Sequence, residues 1–486
     1  MQNNYQTIIK NIIFLMLSTG ASQILLFIYF ILLSRYLGPS DYGIYSFATT
    51  VIAILAIFSD LGTMNYGVMK ISGDLETQKH IINLNFTIKL ILNGILFFIL
   101  IFIIILLKFN FLLSFILIML FLANLFDTIM SVHQVLYYSH EKMEYIFILK
   151  TLSGIVLIIG IILVLKYNLG LIAASMLPFF SNFFIFLISS FIVLKSFVLP
   201  GLNVDFKFIK SYLKDSIYFS LNAIYVNIFV WGDLILVWFF LGDYSTGIYN
   251  AAFKLYTISL FIPSAIASSF FPRMNKRENS STSILTDFVQ KQVRYLFLFG
   301  ISILIIVQYY NKVIVNLILG SDYLDSAIIF NILIILALIM YIRIPFEKLI
   351  EIKGKAYINF RFYLIIFFIN IIVDLFLLYS KSTLYLVVLS TLLLNIILSF
   401  GILFYSYFEL KFNILNLKEL KTMVKITFAG LVSFLLVILF LKSINFIFVS
   451  VIFFIVFIFV NFLMMNFEKE ETDFILNKIK SLISKY

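Results

Sequence analysis

The chain has 486 residues, of which 63% are apolar and only 12% are charged, with a net charge of +11 and no cysteine. Soluble domains are about 45–50% apolar and about 25% charged, so this composition excludes an ordinary soluble protein. Without cysteine there is no disulfide framework and no thiolate metal site. The basic residues are dispersed between apolar segments, which argues against a nucleic-acid partner. Apolar runs of about 20 residues, each long enough to cross a bilayer, predict an all-α polytopic membrane protein.

Fourteen apolar segments are predicted as membrane-spanning helices. In chain order they lie near residues 11–34, 43–66, 81–106, 111–137, 145–165, 171–194, 216–240, 245–270, 294–311, 326–349, 358–379, 384–406, 422–441 and 445–465. The loops alternate between a set rich in lysine and arginine and a set with one basic residue or none. Positive residues collect on the cytoplasmic side, so we expect a multi-pass protein of the plasma (inner, cytoplasmic) membrane with both termini in the cytoplasm.

A nine-residue phrase occurs twice in the chain. Residues 37–45 and 241–249 both read L-G-x-x-x-x-G-I-Y, each between two long apolar segments. This predicts two six-helix lobes with the same orientation, related by a parallel repeat about an axis along the membrane normal, plus two C-terminal helices. The predicted parts are an N-lobe at 1–194, a connector with an interfacial helix at 195–214, a C-lobe at 215–407, two further spans at 408–466 and a cytoplasmic amphipathic tail at 467–486.

Several short motifs resemble those of the polysaccharide and O-antigen flippases, a family of the multidrug/oligosaccharidyl-lipid/polysaccharide exporter superfamily. Arg35 to Gly43 reads R-Y-L-G-P-S-D-Y-G, which is similar to the opening signature of that family. Further matching motifs are Asp60-Leu61-Gly62, Phe271-Pro272-Arg273, Leu319-Gly320-Ser321-Asp322-Tyr323 and Gly354-Lys355. Their order and spacing together carry the resemblance over about the first 400 residues.

The resemblance implies a flippase that works by alternating access around a central cavity. Its substrate would be an oligosaccharide on a polyprenyl pyrophosphate, moved from the cytoplasmic to the outer leaflet for O-antigen, capsule or other surface polysaccharide. The implied partners are this lipid-linked oligosaccharide, the bilayer, a proton or sodium ion, and the polymerase and glycosyltransferases of the same pathway. No catalytic residue, cofactor or metal site is implied.

The eighth predicted span carries the main candidate for substrate binding. Asn250, Lys254 and Thr257 lie at i, i+4 and i+7, on a polar stripe of an otherwise apolar helix. An anionic pyrophosphate needs a cation, and an ionisable residue inside the membrane, which costs about 2.5–3.5 kcal/mol to insert, usually faces a cavity or a partner. The alternative is that Lys254 extends to the outer headgroups. Pro263 is expected to break this helix.

Three further residues are candidates for substrate binding. Asn227 is polar in the middle of the seventh span, Lys89 lies in the third, and Arg343 lies near the end of the tenth. The alternative for Lys89 is contact with headgroups. For Arg343 it is a structural pair with Glu347, which lies four residues further along the same helix face.

Three acids are candidates for coupling to a proton or sodium ion: Asp60, Asp233 and Asp127. Asp60 could instead cap a helix or form a pair, and Asp233 could instead pair with a lysine or accept a hydrogen bond across helices. Asp127 lies on a polar stripe with Asn124, Ser131 and Gln134. Asn370 and Asp374, four residues apart, form a weaker candidate, because a cation site needs converging oxygens that spacing alone does not prove.

Three other functions compete with oligosaccharide translocation. A cation-coupled multidrug antiporter of the same superfamily would have twelve spans. A peptidoglycan lipid-precursor flippase also has fourteen, but it is expected to place several arginines in the first lobe, whose predicted span interiors contain none. A membrane glycosyltransferase or polymerase would carry large polar catalytic loops, whereas the longest loops here are short.

Overall fold

The computed structural model describes residues 2–71, 75–202, 205–261, 263, 266, 282–441 and 446–464. These ranges contain thirteen α-helices, a short 3-10 helix at Ser321–Tyr323 and no strand. The helices are α1 (Gln2–Asp60), α2 (Thr63–Lys70), α3 (Leu75–Leu106), α4 (Phe111–Ser139), α5 (Met143–Tyr167), α6 (Gly170–Ser196), α7 (Phe206–Ser259), α8 (Thr282–Leu319), α9 (Ser326–Ile352), α10 (Ala356–Tyr379), α11 (Leu384–Phe408), α12 (Leu417–Leu441) and α13 (Phe446–Leu463).

The helices confirm the prediction of an all-α, multi-pass membrane protein. Eleven stretches of the described residues are long and apolar enough to cross a membrane. Two helices, α1 and α7, are each two helices joined across a glycine whose backbone is not helical. With these two counted as pairs and the short α2 left out, the described helices match the fourteen predicted spans.

The two internal turns have the same cause in both copies of the repeated phrase. Gly38 has φ 68° and Gly242 has φ 78°, a left-handed region that glycine enters at little cost. Pro39 follows the first turn directly, in the first turn of the next helix, where its missing N–H removes no helical hydrogen bond. After the second turn, Asp243 accepts a hydrogen bond from Trp238 Nε1 at 2.7 Å. Each phrase is therefore a tight turn between two spans.

The chain divides into two compact units, Met1–Asn250 and Ala251–Tyr486. The core of the first unit includes an apolar cluster formed mainly by α4, α5 and α6, with Val132, Leu136 and Ile185 at its centre. In the second unit, α12 and α13 pack on α8, and Arg294 of α8 pairs with Glu419 of α12 at 2.7 Å with both side chains buried. The lobes predicted from the repeat rest on sequence register and stay a prediction.

Some predicted features lie outside the described residues. They are the amphipathic tail at 467–486, the motif Phe271-Pro272-Arg273 and the side chain of Asn227. The last turn of α7 is described, and the helix ends at Ser259. The next described residues, Phe261 and Pro263, are helical again, so the break falls at Leu260, three residues before Pro263.

Candidate functional site

The two copies of the repeated phrase cross each other within the first unit. A Cβ atom added to Gly43 would overlap the backbone carbonyl of Asp243, and one added to Gly247 would overlap the carbonyl of Pro39. Each added Cβ would also lie 3.1 Å from the amide nitrogen of the other glycine. Because Pro39 and Asp243 hold equivalent places in the repeat, the contact is reciprocal. The two helices therefore meet backbone to backbone about a pseudo-two-fold axis, which we call the glycine crossing.

Asn250 lies one turn beyond the glycine crossing and binds its own repeat equivalent. Its Nδ2 donates to Ser46 Oγ at 2.7 Å and to Tyr42 Oη at 3.2 Å, and the residue is only 3% exposed. Asn250, a predicted substrate ligand, therefore joins the two repeats in this conformation. It can meet a substrate only after these helices separate.

A polar cavity of about 270 Å³ lies among α1, α4, α5 and α6. Its polar lining consists of Ser22, Gln23, Asp127, Gln134, Lys150, Ser153 and Asn182. Opposite charges thus share one space in the middle of apolar helices, surrounded by hydroxyl and amide groups. Since an ionisable side chain in a membrane usually faces a cavity or a partner, this arrangement is a strong candidate for function.

The polar stripe predicted on α4 divides between two sites. Asp127 and Gln134 line the polar cavity, whereas Ser131 contacts Lys89 of α3. Lys150 and Asn182 were not predicted from the sequence as site residues. A signal for Lys150 was present, because it lies two turns inside an otherwise apolar helix, where a lysine needs a polar environment.

Lys89 and Asp60 form an ion pair in the first unit, in which the lysine is buried and the carboxylate is partly exposed. The Lys89 side chain is fully buried, and its ammonium contacts the Asp60 carboxylate and, at 2.6 Å, Ser131 Oγ. The same carboxylate accepts hydrogen bonds from the amide of Gly62 at 3.1 Å and the hydroxyl of Thr63 at 3.2 Å. Asp60 therefore joins α1 to α2 across the break at Leu61 and Gly62, and also neutralises Lys89.

Removing one partner of this pair is expected to destabilise the protein more than removing both charges. Lys89→Met leaves the Asp60 carboxylate without its cation, which we expect to cost about 3 kcal/mol, the lower end for buried pairs because Asp60 is partly exposed. Adding Asp60→Asn to this variant should recover much of the lost stability, because neither charge then remains. Thermal unfolding of the single and double variants in detergent measures the difference. Equal stability of Lys89→Met and the wild type would show that the pair is dispensable.

Arg343 lies in a polar cluster of the second unit. Its Nε is 2.8 Å from Glu347 Oε1, and its Nη1 donates to Asn395 Oδ1 at 3.0 Å. Glu347 also accepts a hydrogen bond from Tyr363 Oη at 2.7 Å. The guanidinium is almost fully buried, and its partners Glu347 and Asn395 lie on α9 and α11. To bind a phosphate, it would have to exchange Glu347 for the ligand.

Asp374 is a buried carboxylate that joins α10 to α11. Its Oδ1 accepts from Ser390 Oγ at 2.7 Å and its Oδ2 from Asn370 Nδ2 at 2.8 Å. The carboxylate, the hydroxyl and the amide group supply the kind of oxygen ligands that sodium or a proton can use. The spacing of Asn370 and Asp374 was visible in the sequence, but the contribution of Ser390 from the next helix was not.

The remaining predicted residues lie on α7. Asp233 is buried in the first unit, where Tyr249 Oη donates to it at 3.4 Å. Lys254 and Thr257 belong to the second unit and are half-buried, with Thr257 Oγ1 donating to the Lys254 carbonyl at 2.9 Å. Over the described part of the chain, no group of three or more histidine or carboxylate side chains could hold a metal ion.

Comparisons with known proteins agree with the all-α membrane fold described above. A sequence profile of the family described as polysaccharide biosynthesis protein matches residues 8–277. Among solved structures, the chain is similar to the lipid II flippase MurJ in an inward closed conformation, with a TM-score of 0.74 and 17% identity over 93% of this chain and 98% of that one. No curated protein sequence matches.

Two other solved structures share the fold at lower similarity. One is an inward-facing multidrug resistance MATE family transporter of the MOP superfamily, with a TM-score of 0.65 and 11% identity over 80% of this chain and 96% of that one. The other is a MOP superfamily transporter from Pyrococcus furiosus, with a TM-score of 0.54 and 12% identity over 81% of this chain and 94% of that one. At these identities the likeness establishes the fold.

Proposed function

Because the chain belongs to the polysaccharide biosynthesis family and has the fold of MurJ and MATE transporters, we propose that it is a flippase for lipid-linked oligosaccharides. It moves polyprenyl-pyrophosphate oligosaccharides from the cytoplasmic to the outer leaflet, for O-antigen, capsule or another surface polysaccharide. The distribution of basic loops supports an inner-membrane location with both termini in the cytoplasm.

The observation that carries this proposal is the polar cavity inside an apolar helix bundle. A glycan needs hydroxyl and amide partners, which Gln134 and Asn182 provide, and an anionic headgroup needs a cation, which Lys150 provides. Such a cavity has no structural use in a protein that only anchors others, because burying polar groups in a bilayer is unfavourable.

The glycine crossing supports alternating access. In the proposed orientation it lies at the outer ends of the helices, so it closes the outer side when Gly43 and Gly247 are in contact. Release of substrate to the outer leaflet then requires this crossing to open. Opening exposes Ser46 and Asn250, whose polar groups can meet the glycan as it leaves.

Each predicted site residue keeps a proposed role. Lys254 and Thr257 contact the substrate directly, whereas Lys89 and Arg343 contact the phosphate only by exchanging their present carboxylate partners. Asn250 and Asn227 bind the glycan in the open state. The coupling ion is a proton or sodium, held by Asp127, Asp233 or Asp60, to which the structure adds Asp374 as a fourth candidate.

Translocation in proteoliposomes tests the proposal. Asp127→Asn and Lys150→Gln are each expected to slow the flipping of a fluorescent polyprenyl-pyrophosphate glycan at least tenfold, because a hydrogen bond to a charged group is worth about 1.5–3 kcal/mol. Lys142→Gln, in an exposed turn before α5, is the matched control. Full rates in both cavity variants would remove the cavity from the mechanism. Movement of a peptidoglycan precursor or a cationic drug instead of the glycan would assign the protein to one of the alternative functions.

A further inference from the structure

An aromatic groove lies at the end of α11, and no step of the proposed function uses it. Its volume is about 640 Å³, within the ~300–1,000 Å³ typical of ligand pockets. It is formed by α9, α10, α11 and the segment 409–416. Phe346 and Phe412 are buried at its base, while Phe362, Phe404 and Phe408 line it further out. We call it the α11 groove.

The shape of the α11 groove depends on Gly401. A Cβ there would lie 3.0 Å from the Phe362 ring, so the missing side chain lets this ring lie directly on α11. On the other side, the rings of Phe404 and Phe408 pack together with centroids 4.3 Å apart. Phe404 is 63% exposed and Phe408 58%. The groove is therefore apolar along its length and open to the surrounding membrane.

Basic side chains stand at one end of the α11 groove. Lys353 Nζ lies 5.9 Å from the ring centroid of Phe412, which forms part of the floor of the groove. Lys355 Nζ lies 5.7 Å from the ring centroid of Tyr405. Lys411 is exposed in the following loop, whose exposed carboxylate is Glu409. Positive charges therefore outnumber negative charges at this end of the groove. An apolar groove that ends at lysines is complementary to a lipid with an anionic headgroup.

We propose that the α11 groove binds an anionic phospholipid, with one acyl chain along the aromatic rings and the phosphate at Lys353 and Lys355. The size of the groove suits one acyl chain rather than a long polyprenyl tail. This inference goes beyond the proposed function and depends on it only for the leaflet, which is the cytoplasmic one because Lys353 and Lys355 lie in a basic loop.

Native mass spectrometry of the full chain, with phosphatidylglycerol or phosphatidylcholine of identical acyl chains, tests the headgroup contact. We expect preferential retention of phosphatidylglycerol. The double variant Lys353→Gln/Lys355→Gln should bind phosphatidylglycerol about 30-fold more weakly, because it loses two lysine–anion contacts worth about 1 kcal/mol each near a membrane surface. Lys418→Gln/Lys421→Gln, which changes two exposed lysines outside the groove, is the matched control. Equal retention of the two lipids, or equal losses in both double variants, would overturn the proposal.

Filling the groove tests the acyl contact. Ile397 lines the groove and is 56% exposed, so Ile397→Trp can occupy it without disturbing the core, whereas Leu393→Trp on the same helix lies outside. Only the first should abolish retention, with unchanged thermal unfolding of the lipid-free protein. Binding of a polyprenyl phosphate in preference to phosphatidylglycerol would overturn the assignment in favour of the substrate tail. A protein that binds phosphatidylglycerol but flips no glycan would refute the proposed function and leave this site intact.

Discussion

Oxidising a Ser46→Cys/Asn250→Cys variant is expected to stop translocation, and reducing it should restore the full rate. Asn250 Nδ2 lies 2.7 Å from Ser46 Oγ at the glycine crossing, so cysteines at these two positions face each other, and we expect oxidation to join them. The native chain has no cysteine, so no other thiol can react. A disulfide here would prevent the helices from separating, which the proposed alternating access requires.

Translocation in proteoliposomes under oxidising and reducing conditions measures this effect. Each single-cysteine variant serves as a control, because it cannot form the intramolecular bond and should respond to neither condition. The fraction of bonded protein is read from a gel after thiol labelling. Undiminished flipping by fully bonded protein would show that the glycine crossing stays closed throughout the cycle, and the proposed outer opening would have to lie elsewhere.

Adding one methyl group at the glycine crossing is expected to destabilise the protein. Gly43→Ala and Gly247→Ala each place a Cβ against a backbone carbonyl that cannot rotate away. Overpacking of this kind costs about 1–3 kcal/mol, and contact with backbone favours the upper end. Both variants should lower the midpoint of thermal unfolding, by similar amounts because the contact is reciprocal.

Gly94→Ala is the matched control for this comparison. Gly94 also lies within a helix, but an added Cβ there has nothing within 4 Å. Alanine should be neutral or stabilising by about 0.5–1 kcal/mol, because it restricts the unfolded chain. If Gly43→Ala and Gly247→Ala behave like Gly94→Ala, the helices can shift apart without loss, and the crossing is not a tight contact.

Much of the fold could be predicted from the sequence, because hydropathy identifies membrane helices directly. A glycine between two apolar segments, such as Gly38, is also typical of the turn found there, since few residues other than glycine adopt such a backbone conformation. The sequence could not show that the two phrases touch. That contact joins residues about 200 positions apart, and their spacing along the chain holds no information about their distance in space.

The site was predicted less completely, for the same reason. Asp60 is predicted as a coupling acid, a cap or one member of a pair, and Lys89 as a substrate ligand or a headgroup contact, but the sequence does not show that they pair with each other. Asp127 and Ser131 share a predicted face of α4 but contact different neighbours, because one helix face is wide enough to meet two adjoining helices. A residue's helix and depth can be inferred from sequence, whereas its partner depends on how the helices pack.

The reciprocity of the glycine crossing has a consequence for the origin of the chain. A contact in which each side presents the same patch is isologous, the type that two identical chains form about a two-fold axis. A half-length ancestor could have made this contact by dimerising, with glycine facing glycine before the two copies were joined in one gene. Fusion would let equivalent positions diverge, and this pair now has Asn250 as donor and Ser46 as acceptor.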